Sequence, residues 1–250
     1  MPQPTTPVPA PISPTGKVYL IGAGPGAADL ITVRGARILA QAEVVLHDAL
    51  VSTEMLALCP QAVKIAVGKR SGQRSTAQQE INQRLVESAQ RYQLVVRLKG
   101  GDPMLFGRAD EELRALDNYQ ITYEIVPGIT AALAAAAAAQ RPLTKRGVAR
   151  SVSLFTSSTA PDEPEAFIMP NGDTLVQYMG GREATATAQR LLSLGYARNT
   201  PVVVVENCSR ADERILDLQL GNLEQGLTQC SGPVLVMIGA ALAPRPAQAH

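Results

Sequence analysis

Residues 94–112 read LVVRLKGGDPMLFGRADEE, an apolar run that stops at a turn and continues into a charged segment. The β-branched residues Val95 and Val96 are typical of a buried parallel strand. Two glycines and a proline at 100–103 cannot continue a strand, so the backbone is predicted to turn there. Because open α/β sheets bind ligands at the carboxyl ends of their strands, Asp102 is predicted to face a ligand.

Apolar segments and longer amphipathic segments alternate through the first half of the chain. The predicted strands are 17–21, 44–46, 63–67, 94–98 and 123–126, and the predicted helices are 31–42, 52–58, 76–91 and 107–116. In the third helix, Ile81, Leu85 and Ala89 are spaced by four and mark one buried face. This alternation predicts a parallel sheet with right-handed crossovers.

The second half begins at Pro127 and Gly128, which precede an alanine-rich helix at 129–139 and are interpreted as a hinge. Strands are predicted at 151–155, 174–178, 202–205, 214–218 and 234–238, with a helix at 183–194. Several of these strands lack a long helix between them, so the second sheet is predicted to be mixed. The fold class is therefore α/β with two lobes, each a parallel or mixed sheet with flanking helices.

The predicted domains are 16–127 and 128–243, flanked by a proline-rich disordered tail at 1–15 and a short tail at 244–250. The first tail has neither a basic nor an apolar region, so it is not interpreted as a signal peptide. A formal net charge of +1 and an aromatic content of 4% argue against nucleic acid as a partner. No apolar run reaches the length of a membrane span. Three dispersed cysteines and two histidines suit a reducing, cytoplasmic compartment and no metal site.

The loop at 22–26, GAGPG, invites comparison with a dinucleotide-binding fingerprint, with Asp48 placed where a ribose-binding acid would be expected. Its spacing is GxGPG rather than GxGxxG. Pro25 also removes an N–H group that a pyrophosphate would need. The dinucleotide interpretation is therefore the less favoured alternative.

The run RLKGGDPMLFGRxxEE at 97–112, with GAGPG at 22–26 and VPGITA at 126–131, resembles the tetrapyrrole methyltransferase family, most closely members that methylate uroporphyrinogen III. The resemblance extends over 16–240 in the family's order. It implies S-adenosyl-L-methionine as cofactor, bound in a cleft between the lobes, and a homodimer. It also implies methylation of uroporphyrinogen III at C2 and C7, giving precorrin-2 through precorrin-1 for sirohaem, cobalamin or haem d1 synthesis.

The resemblance further implies roles for individual residues. The catalytic set is Asp48 as proton acceptor, Lys69 as proton donor, and Arg108 with Glu111. The cofactor-binding set is Pro25, Gly100, Gly101, Asp102, Leu105, Thr130, Ala131, Met179, Cys208 and Ala240. The substrate-binding set is Arg108, Arg146 and Met179.

Ordinary structural roles remain open for several of these residues. Asp48 suits a turn or a helix N-cap, and Lys69 a solvated loop. Arg108 suits an exposed helix position paired with Glu111 or Glu112, and Thr130 is predicted to cap the alanine-rich helix with its hydroxyl.

Some positions depart from the family pattern, among them Ala49, Lys145 and Cys208. Two alternatives therefore stay open, namely a methyltransferase of the same fold acting on another substrate and a non-catalytic cofactor-binding paralogue.

Overall fold

The computed structural model describes residues 16–68, 78–157, 168–228 and 230–245. Lys69, the tail 1–15 and residues 246–250 lie outside this described part of the chain. The described residues form two compact units, one of 16–24, 28–68 and 78–128, the other of 25–27, 129–157, 168–228 and 230–245.

The first unit contains a five-stranded sheet. Its strands are β1 (Lys17–Gly22), β2 (Val44–His47), β3 (Val63–Ala66), β4 (Leu94–Lys99) and β5 (Tyr123–Val126). The order is β3-β2-β4-β1-β5, and every neighbouring pair is parallel, which confirms the predicted sheet. Because all neighbouring strands are parallel, the loops that follow β1, β2, β4 and β5 emerge at the same end of the sheet, where the carboxyl ends of the strands lie.

Four helices accompany this sheet: α1 (Val33–Leu39), α2 (Thr53–Leu56), α3 (Gln78–Arg91) and α4 (Ala109–Asn118). Thr32 and Ser52 cap α1 and α2 by accepting hydrogen bonds from the backbone N–H groups of Gly35 and Met55. The buried face of α3 includes Ile81, Leu85 and Ala89, as their spacing predicted. These three residues pack with strand residues into one apolar core.

The second unit consists of α5 (Ala131–Ala138), β6 (Val152–Thr156), β7 (Thr174–Tyr178), α6 (Gly180–Ser193), β8 (Pro201–Glu206), β9 (Arg214–Gln219), α7 (Leu223–Leu227) and β10 (Val234–Gly239). The sheet order is β6-β7-β10-β8-β9. The β6–β7 pair is parallel and the other three pairs are antiparallel, so the predicted mixed sheet is confirmed.

The helices of this unit differ from the prediction in several respects. Helix α5 spans Ala131–Ala138 rather than 129–139. Helix α6 begins at Gly180, three residues earlier than expected, because Met179 turns the chain directly from β7 into the helix with φ 56°. A Cβ at Gly180 would lie 2.8 Å from Cγ2 of Val236, so a larger residue at this helix start would have to displace the Val236 side chain. Helix α7 was not predicted, since its five residues are too few to show a helical period. None of the helices in the described ranges is long and apolar enough to cross a membrane.

Candidate functional site

The first unit brings three glycine-containing loops into direct backbone contact. Gly24 and Gly101 exchange two hydrogen bonds, with N···O distances of 3.1 and 2.7 Å. A Cβ built on Gly22 would lie 2.6 Å from the backbone oxygen of Gly101, and one built on Gly128 would lie 2.3 Å from the same oxygen. Side chains at these positions would collide with backbone, so glycine is required for the loops to meet.

One face of this cluster is open. Gly101 has φ +67°, and a Cβ built on it would meet no atom within 4 Å. The nearest atom to a Cβ on Gly100 is Cβ of Leu50, at 3.6 Å. A ligand can therefore approach the backbone of Gly101 closely, which fits its predicted place in the cofactor site.

Asp102 ties two of the loops together. Its Oδ1 accepts a hydrogen bond from the N–H of Met104 at 2.8 Å, and its Oδ2 accepts one from the N–H of Gly128 at 2.9 Å. Both carboxylate oxygens of Asp102 thus accept hydrogen bonds from the backbone, whereas the sequence predicted only a contact with a ligand. The carboxylate retains further lone pairs, so a ligand contact and this bracing role are compatible.

The dinucleotide alternative depends on a helix that starts directly after the glycine loop. Instead, a short 3₁₀ turn occupies Ala28–Leu30, and α1 begins only at Val33. The N-terminus of α1 is therefore too far along the chain to receive a phosphate held by Gly24.

Asp48 follows β2 and belongs to a cluster of four charged residues. Arg97 donates from Nη2 to Asp48 Oδ1 at 2.6 Å and from Nε to Glu112 Oε1 at 3.0 Å. Lys99 donates from Nζ to the same Glu112 oxygen at 2.9 Å. The side chains of Arg97, Lys99 and Glu112 are at most 3% exposed, whereas Asp48 keeps 30% exposed. The N–H of Gly100 also points to Asp48 Oδ2, at 3.3 Å.

The cluster balances two cations against two carboxylates inside the protein. Burial lowers the pKa of Lys99, and the like charge of Arg97 lowers it further. Burial alone would lower the pKa of Arg97 as well, but Asp48 and Glu112 outweigh it and raise that pKa. Oε2 of Glu112 has no hydrogen-bond partner among the described residues.

Sequence reasoning missed this cluster. Arg97 and Lys99 were interpreted only as part of a strand and its motif, and Glu112 as a surface partner for Arg108. The available signal was two charged residues, spaced by two, inside an otherwise apolar strand.

Arg108 and Glu111 lie at the start of α4 and pair with each other. Arg108 adopts a left-handed conformation, φ 53°, which explains why α4 starts two residues later than predicted. Its guanidinium binds both oxygens of Glu111, at 2.6 and 2.8 Å, with side chains 59% and 43% exposed. The hydrogen bond from Arg108 lowers the pKa of Glu111. The guanidinium of Arg108 is therefore exposed to solvent, and it is already paired with the carboxylate of Glu111.

In the second unit, Tyr178 takes the capping role that was predicted for Thr130. Thr130 occupies the N-cap position of α5, but its side chain makes no capping hydrogen bond. Its hydroxyl contacts the Tyr178 hydroxyl, and that hydroxyl accepts a hydrogen bond from the N–H of Ala132 at 3.1 Å. The prediction was wrong because Tyr178 approaches from a strand that is distant in the sequence. Burial raises the pKa of Tyr178.

Other predicted cofactor residues gather in the same unit. The N–H of Ala27 donates to Oγ of Ser209 at 2.9 Å, and a Cβ on Gly26 would lie 2.8 Å from the backbone oxygen of Cys208. The segment after Pro25 thus packs on the loop that holds Cys208. Burial raises the pKa of the Cys208 thiol to about 11, so this thiol is a poor nucleophile.

The remaining predicted residues lie nearer the surface. Met179 is 53% exposed, directly after β7, and Ala131 opens α5. Leu105 is half-buried in the turn after Asp102, while Arg146 and Ala240 are exposed. The binding roles of these five residues remain predictions.

Comparison with known proteins identifies relatives along most of the chain. The sequence model of the Tetrapyrrole (Corrin/Porphyrin) Methylases matches residues 17–224. A uroporphyrinogen-III C-methyltransferase from Pseudomonas aeruginosa is 43% identical over 229 residues, which cover 90% of this chain and 94% of that protein. Siroheme synthase 1 of Yersinia enterocolitica is 45% identical over 228 residues, 90% of this chain and 48% of that protein. The chain thus spans about half the length of the siroheme synthases it matches.

The fold also matches solved structures. A crystal structure of uroporphyrin-III C-methyl transferase from Thermus thermophilus, complexed with S-adenosyl homocysteine, superposes with a TM-score of 0.76 at 36% identity. The match covers 90% of this chain and 98% of that protein.

Proposed function

Because the chain belongs to the tetrapyrrole (corrin/porphyrin) methylase family, we propose that it methylates uroporphyrinogen III with S-adenosyl-L-methionine. The methyl groups go to C2 and then C7, giving precorrin-1 and then precorrin-2. The observation that carries the proposal is the 43% identity to the Pseudomonas aeruginosa enzyme, because it extends over 94% of that enzyme's length.

The cofactor supplies an electrophilic methyl group on a sulfonium, and the chain's own residues bind and orient the reactants. Gly100 and Gly101 are proposed to lie against the cofactor, since Gly101 offers an open backbone face. The other residues proposed to bind the cofactor are Pro25, Leu105, Thr130, Ala131, Met179, Cys208 and Ala240. Fixing distance and angle between methyl donor and acceptor carbon is the main catalytic contribution expected here.

The substrate carries many carboxylates and needs cations with a fixed geometry. We propose that Arg108 and Arg146 bind these carboxylates, since a guanidinium binds a carboxylate through two parallel hydrogen bonds. Arg108 already binds Glu111 in this manner. A substrate carboxylate would replace Glu111 on the guanidinium, and the released Glu111 would be free to take part in proton removal.

A proton must leave the macrocycle after each methyl transfer. We propose Asp48 as its acceptor, because Asp48 is the member of the charged cluster whose carboxylate reaches the surface. Lys69 remains the proposed proton donor.

The test is incubation with S-adenosyl-L-methionine and uroporphyrinogen III without oxygen, followed by mass spectrometry of the tetrapyrrole. We expect a first product with one added methyl group and a second with two. Later precorrins assayed in parallel would identify a different substrate in the same family. Binding of S-adenosylhomocysteine without methylation of any tetrapyrrole would overturn the proposal and favour a non-catalytic paralogue.

We also propose that the protein is a cytoplasmic homodimer, as the resemblance implies. All three cysteines are free thiols, which supports a reducing compartment. Light scattering coupled to gel filtration should give twice the mass of 26.4 kDa, and a monomer would contradict the homodimer.

A further inference from the structure

A short hairpin at 143–151 in the second unit carries Arg146 at its tip. Lys145 and Ala149 form an antiparallel bridge with two backbone hydrogen bonds, whose N···O distances are 3.0 and 2.8 Å. The N–H of Val148 also donates to the carbonyl oxygen of Lys145, at 2.9 Å, and this bond closes a four-residue turn. Arg146 therefore lies at the first central position of the turn.

A buried hydroxyl holds the first end of this hairpin. Thr174, the first residue of β7, donates a hydrogen bond from Oγ1 to the carbonyl oxygen of Leu143, at 2.8 Å. Thr174 is fully buried, and burying a hydroxyl costs free energy unless it is hydrogen-bonded. The bond therefore places the backbone of Leu143, three residues before Arg146, at a fixed point beside β7.

The neighbouring residue, Asp173, holds the second end. Its Oδ2 accepts hydrogen bonds from the N–H of Arg150 at 2.7 Å, the N–H of Ser151 at 3.0 Å and the hydroxyl of Ser151 at 2.9 Å. The N–H of Asp173 donates back to Oγ of Ser151, at 2.9 Å. These donors lower the pKa of Asp173, the N–H of Arg150 most, so the carboxylate binds this end in its charged form.

These contacts act on the hairpin more than on the sheet. Strand β6 already pairs with β7 from Val152 onward, so the chain after the hairpin is held without them. The four tip residues, 145–148, are all exposed. The tip therefore takes its position from its two ends, and two adjacent residues at the start of β7 hold both.

We propose that Asp173 and Thr174 are positioning residues that orient Arg146 toward a carboxylate of the tetrapyrrole. The proposal rests on the proposed function, in which Arg146 binds such a carboxylate. A guanidinium forms two parallel hydrogen bonds to a carboxylate only in a narrow range of orientations. Loosening either end of the hairpin should therefore weaken tetrapyrrole binding and leave cofactor binding unchanged.

The experiment measures equilibrium binding of uroporphyrinogen III to the full-length protein, without oxygen and with S-adenosylhomocysteine present. No methyl donor is added, so binding is measured without turnover. After dialysis, the tetrapyrrole is oxidised to its porphyrin and quantified by absorbance. Calorimetric titration of S-adenosylhomocysteine and thermal melting of each variant accompany the measurement.

Single substitutions test each contact. Thr174→Val keeps the shape of the side chain but removes the donor, and Asp173→Ala removes the acceptor at the other end. Each should weaken binding about three- to tenfold, as expected for a lost hydrogen bond. Thr174→Ser keeps the hydroxyl and should bind like the unmodified protein. Thr187→Val is the matched control, since Thr187 lies in α6 of the same unit, is 3% exposed, and should leave binding unchanged.

A double-mutant cycle with Arg146→Ala separates positioning from general structural support. Arg146→Ala removes the side chain that the two residues are proposed to orient. In that background, Thr174→Val and Asp173→Ala should change binding by less than about twofold. Residues that merely support the unit would cost the same in both backgrounds, because independent effects add.

A loss of binding that disappears in the Arg146→Ala background supports the proposal. Unchanged binding, an equal loss in both backgrounds, a parallel loss of S-adenosylhomocysteine affinity, or a loss in Thr174→Ser as large as in Thr174→Val overturns it. Should Thr174→Val fail to fold, Asp173→Ala decides in the same way, since Asp173 is exposed.

The proposed function fails by a different result. Binding of uroporphyrinogen III without methylation in the activity assay would refute methyl transfer and leave the cycle intact. An unmodified protein that does not bind uroporphyrinogen III would overturn both proposals.

Discussion

Gly128→Ala should damage the candidate site more than any other single methyl group added to its loops. The new Cβ would lie 2.3 Å from the backbone oxygen of Gly101, 2.7 Å from Cα of Gly22 and 2.9 Å from its carbonyl carbon. All three obstacles are backbone atoms, at the end of β1 and in the loop after β4, so no side chain can rotate away to relieve the contact. The two loops must separate, and the hydrogen bond from the N–H of Gly128 to Asp102 must stretch.

The magnitude follows from how far the loops must move. Real Cβ atoms essentially never approach other atoms closer than 3.0 Å, so the gap at Gly101 must open from 2.3 Å at least to that distance. Overpacking typically costs about 1–3 kcal/mol of stability. We expect a cost near the upper end of that range, because backbone atoms cannot rotate away from the new methyl group. A loss of about 3 kcal/mol should lower the melting temperature by roughly 6–12 °C for a chain of this size.

The assay is thermal melting together with calorimetric titration of S-adenosylhomocysteine. Gly100→Ala is the matched control, because it adds the same methyl group to a neighbouring loop where the nearest atom is 3.6 Å away. We expect the control to melt within a degree or two of the unmodified protein, roughly the effect of a few tenths of a kcal/mol. Because Gly100 is itself proposed to contact the cofactor, this control applies to the melting temperature. If Gly128→Ala melts like Gly100→Ala, the close approach of the three loops is wrong.

Three further predictions concern side chains of the site. Asp102→Asn leaves one acceptor oxygen for two backbone N–H groups and should lower the free energy of unfolding by about 1–3 kcal/mol in denaturant titrations. An unchanged stability with weaker S-adenosylhomocysteine binding would instead make Asp102 a ligand contact. Arg108→Lys keeps the charge but loses the paired donors of the guanidinium, so the rate of methyl transfer should fall at least about tenfold. The melting temperature should change little. Near-normal turnover would contradict the proposed binding of a substrate carboxylate by Arg108. The Cys208 thiol, with a pKa of about 11, should carry roughly a hundredfold less thiolate near pH 8.5 than an ordinary cysteine. Mass spectrometry should therefore show much slower alkylation than in the denatured chain, and equal rates would refute its burial.

Most strands of the first unit were predictable because they are apolar segments that end close to glycine, proline or a charged residue. The segment 123–126 was predicted with the same bounds that the structure gives to β5, and the other strands of the first unit within one residue. The loops at the candidate site were predictable for the same reason, since their glycines and prolines mark where the strands end.

The contacts between these elements were not predictable from local pattern. Tyr178 reaches Ala132 across 46 residues, and Arg97 reaches Asp48 across 49. Such contacts depend on strand order, which one sequence without relatives does not reveal. The predicted starts of α4 and α6 were wrong because Arg108 and Met179 adopt positive φ. This conformation is uncommon for residues other than glycine, so the sequence gives no sign of it.

The positive φ of Arg108 and Met179 also places two kinds of selection in conflict. A left-handed backbone costs most residues about 1–2 kcal/mol, and glycine would avoid that cost. Selection for thermal resistance alone should therefore enrich glycine at positions 108 and 179. Selection for turnover should retain the side chains, since both are proposed to touch substrate. Sorting one mutant library under the two regimes would reveal the conflict at these two positions, as expected where activity and stability compete.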